Sequence, residues 1–371
     1  MNSKRKSLPT TYCIPGIFRC ALLGTLLFLA LGSSGVRGAA KDAITETDVS
    51  ISDYCLPDDP NELLKVDNEM KAFFAARIDR RASIETKLDE IADAILSEKG
   101  LNFRYERNGV YDVREAFRRR RGNCLTYSML VVAIAREFRI EAKFNEVIIY
   151  PRWNRTGGLI LVNGHINVRV ETAGEAFEVD LKANNDLRVS RSSARVVNDA
   201  RAFAGVYNNV GVYRLAAGDR MNALRLMEKS TVIDPSYASA WANLGTALMF
   251  LGQTDRAQKC YERALTNESG MPAALSGLAT LYRKNERIAE AEKFERMVVR
   301  YRERNPYYLL SVARDELSSG DFKSARRHLR RAINIKDDEP ELYELMAEVA
   351  RGQGLDGEAK RWIERSKKDA S

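Results

Sequence analysis

Residues 121–138 have the sequence Arg121-Gly-Asn-Cys124-Leu-Thr-Tyr-Ser-Met-Leu-Val-Val-Ala-Ile-Ala-Arg-Glu-Phe138, and the architecture predicted for the first half of the chain is built around them. Gly122 and Asn123 interrupt the preceding helical pattern, and asparagine is a favoured N-cap residue. The segment that follows is apolar on nearly all sides, which predicts a buried central helix. Cys124 is therefore expected in the first turn of that helix, where unpaired N–H groups and the helix dipole stabilise a thiolate.

The surroundings of Cys124 leave two interpretations open. The four arginines at 118–121 add positive charge, which also favours a thiolate. Against this, free cysteine is most often a small buried apolar residue with no reactive role. The position at a helix start favours the reactive interpretation over the structural one.

Secondary-structure patterns on both sides of this helix predict a mixed α+β domain. Helical spacing of apolar residues precedes it at 61–78, 82–97 and 113–119. Alternating apolar and polar residues follow it and predict three strands, at 143–150, 159–170 and 176–181. The turn-like residues between the last two strands favour a hairpin.

The predicted hairpin determines whether a histidine and a carboxylate lie close together. His165 lies on the polar face of the second strand, and Glu178 and Asp180 lie on the polar face of the third. If the loop has an even number of residues, His165 and Asp180 share a face, directly opposite or diagonal, within roughly 5–8 Å. A loop with an odd number would separate them.

A thiolate, an imidazole and a carboxylate together make a set for nucleophilic catalysis. Cys124 attacks a carbonyl carbon, His165 takes and returns the proton, and Asp180 fixes the imidazole. His165 is the only histidine before the repeats described below, whereas Asp180 has a rival in Glu178. One histidine and one free cysteine do not fill a zinc shell, so neither a metal nor another cofactor is predicted.

The second half of the chain repeats every 34 residues from Ala204 onward. The twentieth position of each unit is alanine, the eighth is always small, and the fifteenth is glycine except for Glu286. Small residues let two antiparallel helices approach closely, and glycine permits the turn between them. The alanines are Ala223, Ala257, Ala291, Ala325 and Ala359.

These motifs resemble two known families. Arg121-Gly-Asn-Cys124-Leu, then Asn163-Gly-His165-Ile-Asn-Val-Arg-Val, then Phe177-Glu-Val-Asp180 resemble, in order, the transglutaminase-like superfamily, and more narrowly its bacterial branch with tetratricopeptide repeats. Trp241-Ala-Asn-Leu-Gly245 resembles the tetratricopeptide repeat. The resemblance implies a papain-like triad of Cys124, His165 and Asp180.

The implied fold is an α+β papain-like or transglutaminase-like domain followed by an all-α tetratricopeptide-repeat solenoid. The catalytic domain is expected at 59–190, a polar linker at 191–203 and five repeats at 204–371. Residues 41–58 are predicted to be a polar leader.

The N-terminus has the layout of a secretory signal peptide. Lys4-Arg5-Lys6 precede an uncharged, mostly apolar run at 20–36, and small residues follow. An uncleaved membrane anchor is the alternative for residues 1–40. Both interpretations export the rest of the chain, so the protein is expected to be periplasmic or secreted, or anchored to the inner membrane.

Composition limits the remaining classes. The 371 residues are 45% hydrophobic and 30% charged, which is a globular balance and excludes collagen, wholesale disorder and a polytopic membrane protein. The net charge is +8, but residues 1–40 contribute five basic residues and no acid, leaving 54 basic against 51 acidic residues. Such a balance does not indicate a nucleic-acid partner.

Three cysteines follow the signal segment, Cys55, Cys124 and Cys260. An odd number in an oxidising compartment leaves at least one thiol unpaired. Pairing of Cys55 with Cys260 stays open.

The sequence therefore predicts an exported cysteine hydrolase, a protease or amidase that cleaves a peptide or isopeptide bond through a thioester on Cys124. The repeat array is expected to bind a protein partner or the substrate. One alternative is acyl transfer to an amine by the same triad. The other is a non-catalytic scaffold in which the repeats are the functional part.

Overall fold

The computed structural model describes residues 11–12, 25–27, 55–156, 159–172, 175–180 and 194–369. The signal segment predicted at 1–40 lies outside this set except for two short strands, and the predicted leader is described only from Cys55. No helix in the described part of the chain is long and apolar enough to cross a bilayer.

The first half of the chain combines helices with one main sheet, as the fold class predicted from the sequence requires. A 3-10 helix at Pro60–Leu64 begins at the cap residue Asp59. The α-helices that follow are α1 (Asn68–Ala75), α2 (Ile84–Leu96), α3 (Val113–Arg119) and α4 (Cys124–Glu137). The strands are β1 (Thr11–Tyr12), β2 (Thr25–Leu27), β3 (Arg104–Tyr105), β4 (Arg121–Gly122), β5 (Ala142–Thr156), β6 (Leu159–Glu171), β7 (Ala176–Val179) and β8 (Ala194–Val197).

The main sheet has the strand order β1-β7-β6-β5-β8, with β2 beside β6. The pair β3 and β4 forms a separate parallel ribbon just before the helix that carries Cys124. In the main sheet, β6 and β7 are antiparallel, with Val168 opposite Val179 and Val170 opposite Phe177. These apolar pairs point into the core, which leaves the polar face of the hairpin for the site.

Helix α4 lies in the centre of this half. Its residues 124–135 are all buried, which confirms the helix predicted from its apolar sequence. Asn123 begins the helix, because its Oδ1 accepts the Thr126 N–H at 3.0 Å. The position of Cys124 at the first helical residue follows directly from this cap.

The stretch expected to be a polar linker, residues 191–203, is structured where it is described. Residues 194–197 form β8 and pair antiparallel with β5, with Phe144 opposite Val197. The next helix already begins at Asp199, five residues before the expected start of the repeats. An edge strand has unpaired backbone N–H and C=O groups with which an extended segment can pair. The polar composition of residues 191–203 does not reveal this pairing, so the sequence predicted a linker.

In the described residues 199–369, ten helices follow in five pairs, and the two helices of each pair pack against each other. Four of the five tight turns within the pairs contain a glycine at positive φ, and the fifth contains Glu286 at φ 61°. The helices are α5 (Asp199–Ala216), α6 (Arg220–Ile233), α7 (Ala238–Phe250), α8 (Thr254–Asn267), α9 (Pro272–Lys284), α10 (Ile288–Arg302), α11 (Pro306–Ser318), α12 (Phe322–Ile335), α13 (Pro340–Gly352) and α14 (Asp356–Asp369).

The chain divides into two compact units, and the division falls within the repeats. Among the described residues, the first unit includes 55–152 and 162–267, and the second includes 268–369. The first two helix pairs therefore belong to the same compact unit as α4. Phe203, Val206 and Tyr207 of α5 are buried in one apolar core with α4.

Candidate functional site

Cys124 is the first residue of α4 and is 1% exposed. The first turn of a helix presents backbone N–H groups that have no partner within the helix, together with the positive end of the dipole. Both favour a negative charge on the sulfur. The structure thus places the thiol where the sequence predicted it.

Helix α4 is fixed against strand β6 next to the histidine. Ser128, one turn after Cys124, donates from its Oγ to the Ile166 carbonyl at 3.3 Å. Residues four apart lie on the same helix face, so this bond orients Cys124 towards the neighbouring residue His165. The Cys124 side chain lies close enough to the imidazole to be one of the smaller causes that raise the His165 pKa.

His165 is also held by Asp180. The distance between His165 Nε2 and Asp180 Oδ2 is 2.5 Å, and the two side chains are 2% and 11% exposed. The β6–β7 register is centred between residues 173 and 174, which makes the two residues diagonal neighbours on one face. Of the loop alternatives left open by the sequence, the even loop with the diagonal arrangement is the one observed.

The surroundings of His165 raise its pKa above the ordinary imidazole value. Burial disfavours the charged ring, but the charge and hydrogen bond of Asp180, with a smaller contribution from Cys124, outweigh burial. A buried imidazole beside a carboxylate therefore holds its proton at neutral pH. Such an imidazolium is the partner that a thiolate requires.

Glu178, the rival of Asp180, has other partners. Arg169 Nη1 donates to Glu178 Oε1 at 3.3 Å, and Asn167 Nδ2 donates to Oε2 at 3.5 Å. The register explains this, because Glu178 stands directly opposite Arg169. Among the described residues, Asp180 is thus the carboxylate that the structure joins to the imidazole.

Two tyrosines near the site were missed in the sequence. Tyr127 is 1% exposed, and the Asp180 carboxylate adds to the effect of burial in raising its pKa. Its spacing of three residues from Cys124 would have placed it on the same helix face. Tyr213, from the first repeat helix α5, lies close enough to Cys124 for the sulfur to add to the larger effects that raise its pKa. No local signal connects Tyr213 with Cys124.

The three described cysteines are all free thiols, so Cys55 and Cys260 are not paired. Cys55 is exposed, and Cys260 is buried in α8. Burial raises the pKa of the Cys260 thiol to about 11. The described residues contain no group of three or more His, Cys, Asp or Glu side chains placed to hold a metal ion.

Comparison with protein families matches residues 73–217 to the transglutaminase-like superfamily. Residues 226–259 and 243–307 match the tetratricopeptide repeat. The curated relatives include the photosystem I assembly protein Ycf3 of Prochlorococcus marinus strain MIT 9303, 31% identical over 97 residues, or 25% of this chain. The chain spans 56% of the length of that relative.

Comparison with solved structures gives matches that cover a little under half of the chain. One is MamA, with 18% identity, a TM-score of 0.31, and coverage of 43% of this chain and 94% of that chain. Another is pilF of Pseudomonas aeruginosa, with 20% identity, a TM-score of 0.35, and coverage of 46% and 77%. Both family resemblances inferred from the sequence are confirmed: the chain carries a domain of the transglutaminase-like superfamily followed by tetratricopeptide repeats.

Proposed function

We propose that this protein is an exported cysteine hydrolase, a protease or amidase that cleaves a peptide or isopeptide bond through a thioester on Cys124. The observation that carries the proposal is the buried chain of contacts from Cys124 through His165 to Asp180. Membership of the transglutaminase-like superfamily supports thiol chemistry at this position.

The proposed reaction uses each of the three side chains in turn. The Cys124 thiolate attacks the carbonyl carbon of the amide, and the His165 imidazolium gives its proton to the departing amine. A water then attacks the thioester and loses a proton to His165, which releases the acid and restores the thiolate. Asp180 holds the ring in one orientation and stabilises its positive charge throughout.

The acceptor of the acyl group decides between hydrolysis and crosslinking. Water is the acceptor in our proposal because it is the default acceptor for a thioester. An amine acceptor would give acyl transfer with the same triad, provided that the site excludes water. Product analysis with and without an added primary amine distinguishes the two.

The repeat array supplies a surface for a protein or peptide partner in this proposal. Stacked helical repeats commonly use their extended surface in this way. A scaffold without catalysis is the alternative, and it does not account for a cysteine, a histidine and a carboxylate joined in one buried chain of contacts. The proposal places the enzyme in the periplasm or outside the cell, and N-terminal sequencing of the mature protein tests whether residues 1–40 are removed.

Alkylation of the three described thiols within one molecule tests the proposal. The full chain is treated with iodoacetamide from pH 4 to 9, and modification of each cysteine is measured by mass spectrometry. Cys55 is the exposed reference and Cys260 the buried one. We expect Cys124 to react at a pH well below the free-thiol pKa of roughly 8.5, despite its burial.

A variant at His165 distinguishes a thiol that the imidazole activates from a thiol that is merely accessible to the reagent. His165→Gln removes the ionic partner and should abolish the reactivity of Cys124 at low pH, while Cys55 and Cys260 keep their wild-type behaviour. If Cys124 is inert, or titrates like a free thiol in the wild-type protein, the hydrolase proposal is wrong. The repeat array would then be the functional part of the chain.

A further inference from the structure

A buried hydroxyl next to the candidate triad has no hydrogen-bond partner among the described residues. Tyr127 is 1% exposed, and its OH makes no hydrogen bond to any described residue. Buried polar groups are nearly always paired, so an unpaired one in a folded protein calls for a specific explanation. A site with three interacting polar side chains close by supplies one.

Three observations place the Tyr127 side chain at this site. It lies one turn after Cys124 on the same face of α4. Ser128, also one turn after Cys124, is bonded to the Ile166 carbonyl, so the first turn of α4 lies against β6 beside His165. The ring packs against Phe103 with the ring centroids 6.0 Å apart, which limits its freedom to turn away.

The Tyr127 hydroxyl also lies within electrostatic reach of Asp180. Burial raises the pKa of Tyr127 most, and the charge of the Asp180 carboxylate raises it further. The phenol therefore keeps its proton across the pH range in which the site would work. A neutral phenol can donate a hydrogen bond, and an ionised carboxylate can accept one.

We propose that Tyr127 is a positioning residue of this site, whose hydroxyl donates to the Asp180 carboxylate through one bridging water molecule. A buried water that joins two polar groups is nearly as favourable as a direct hydrogen bond. The bond stabilises the charged carboxylate and fixes its orientation, and Asp180 in turn holds His165. This inference rests on the proposed function, because it assigns Tyr127 to the same triad.

Tyr127→Phe in the full chain tests the inference, since phenylalanine keeps the packed ring and removes only the hydroxyl. We expect the pH midpoint of Cys124 alkylation to rise by about one unit, the effect of losing one hydrogen bond to a charged group. At a pH below the wild-type midpoint, this is about a tenfold slower reaction. The packed ring is kept, so the variant should stay folded and the unfolding midpoint should fall only slightly, by the loss of one water-mediated hydrogen bond.

Tyr261→Phe is the matched control. Tyr261 is also fully buried, but it lies in the repeat helix α8, where its hydroxyl contacts Thr246 Oγ1 at 3.2 Å. Its substitution should leave the Cys124 midpoint unchanged. The control thus separates a local effect on the triad from a general effect of losing a buried tyrosine hydroxyl.

The outcomes separate this inference from the proposed function. An unchanged Cys124 midpoint in Tyr127→Phe, with a wild-type thiolate of low pKa, overturns the inference and leaves the hydrolase proposal standing. A loss of stability without a midpoint shift shows a purely structural tyrosine and also overturns it. A wild-type Cys124 that titrates like a free thiol overturns both.

Discussion

Helix α4 is buried on nearly all sides and the helices of the repeat array are buried mainly where they face one another, and different properties of the side chains fix the packing in the two regions. In the array, residue size is decisive. A Cβ atom at Gly245 would lie 2.7 Å from the ring of Tyr261, which is closer than real Cβ contacts come. In α4, chemical partners are decisive, because Cys124 packs beside a buried His165 whose charge depends on Asp180.

Size and chemistry leave different traces in a sequence. Size repeats with the structural unit: glycine occupies the eighth position in the two repeats where Met227 or Tyr261 lies opposite. Chemical partners occur once and are far apart, as with Asp180, which lies 15 residues after His165. Substitutions in the array should therefore change stability, and substitutions in the site should change reactivity.

Asp180→Asn should have the strongest effect, because it disrupts the candidate site while leaving the repeat array intact. Asp180→Asn removes the negative charge beside His165, which lowers the imidazole pKa and weakens the thiolate. We expect alkylation of Cys124 at pH 6 to slow by about 10- to 100-fold, since one adjacent charge shifts a pKa by roughly one to three units. Quantitative mass spectrometry of the modified peptide measures this.

Glu178→Gln is the matched control for Asp180→Asn. It removes a carboxylate from the same strand, but one whose partners are Arg169 and Asn167 rather than His165. The Cys124 midpoint should move little. Equal effects of the two substitutions would show that general electrostatics, and not the contact with His165, controls the thiol.

The second prediction concerns a substitution that should destabilise the repeat array without changing the candidate site. Gly245→Ala pushes a methyl group into the ring of Tyr261, and such overpacking typically costs about 1–3 kcal/mol of stability. Denaturant unfolding should show this loss. The pH midpoint of Cys124 alkylation should not change in the folded protein.

Gly357→Ala controls for the general effect of adding a methyl group. Gly357 lies in α14 with no atom within 4 Å of an added Cβ, so alanine should stabilise the helix slightly. A loss of stability from both substitutions would contradict the argument from close helix approach.

Much of the fold was predictable because it depends on local patterns. The start of α4 at Cys124 follows from the cap residue Asn123, and the helix pairs follow from the 34-residue period. The position of β8 at Ala194–Val197 was not predictable in this way. Its stability as a strand comes from pairing with β5, about 50 residues earlier, and local composition does not encode that.

The candidate site was predictable only in part. The face shared by His165 and Asp180 follows from strand alternation, but the loop length between the strands decides their register, and the turn residues allowed more than one. The observed register pairs Val168 with Val179 and Val170 with Phe177. The proximity of Tyr127 to Asp180 was not predictable from the sequence, because it arises only when the sheet packs against α4.

The third prediction uses pH to compare the two regions. The pKa of His165 is raised in the folded state, so the folded protein binds this proton more tightly than the unfolded chain does. Its contribution to stability is complete below the unfolded imidazole pKa of about 6.5 and is lost as the pH rises through the folded value. The stability difference between wild type and His165→Gln should thus shrink between pH 6 and pH 9, by about 3 kcal/mol.

Denaturant unfolding at several pH values measures this difference. Tyr261→Phe in the array is the control, and its effect on stability should be the same at pH 6 and pH 9. A His165→Gln effect that stays constant or grows with pH would show that the folded protein does not favour the charged imidazole.

The smallest expected effect concerns the turn inside the third repeat. Glu286 has φ 61°, in the left-handed region where the other four repeats have Gly218, Gly252, Gly320 and Gly354. A side chain in this region costs free energy that glycine avoids, although glycine also makes the unfolded chain more flexible. Glu286→Gly should therefore raise the free energy of unfolding by about 0.5 kcal/mol, as measured by denaturant unfolding, with no change in the Cys124 midpoint.

Gly320→Ala, at φ 82°, should instead lower the free energy of unfolding, because the same backbone geometry then has to accept a side chain. If Glu286→Gly lowers stability, contacts of the glutamate outweigh its backbone strain, and the array is held by more than residue size and turn geometry.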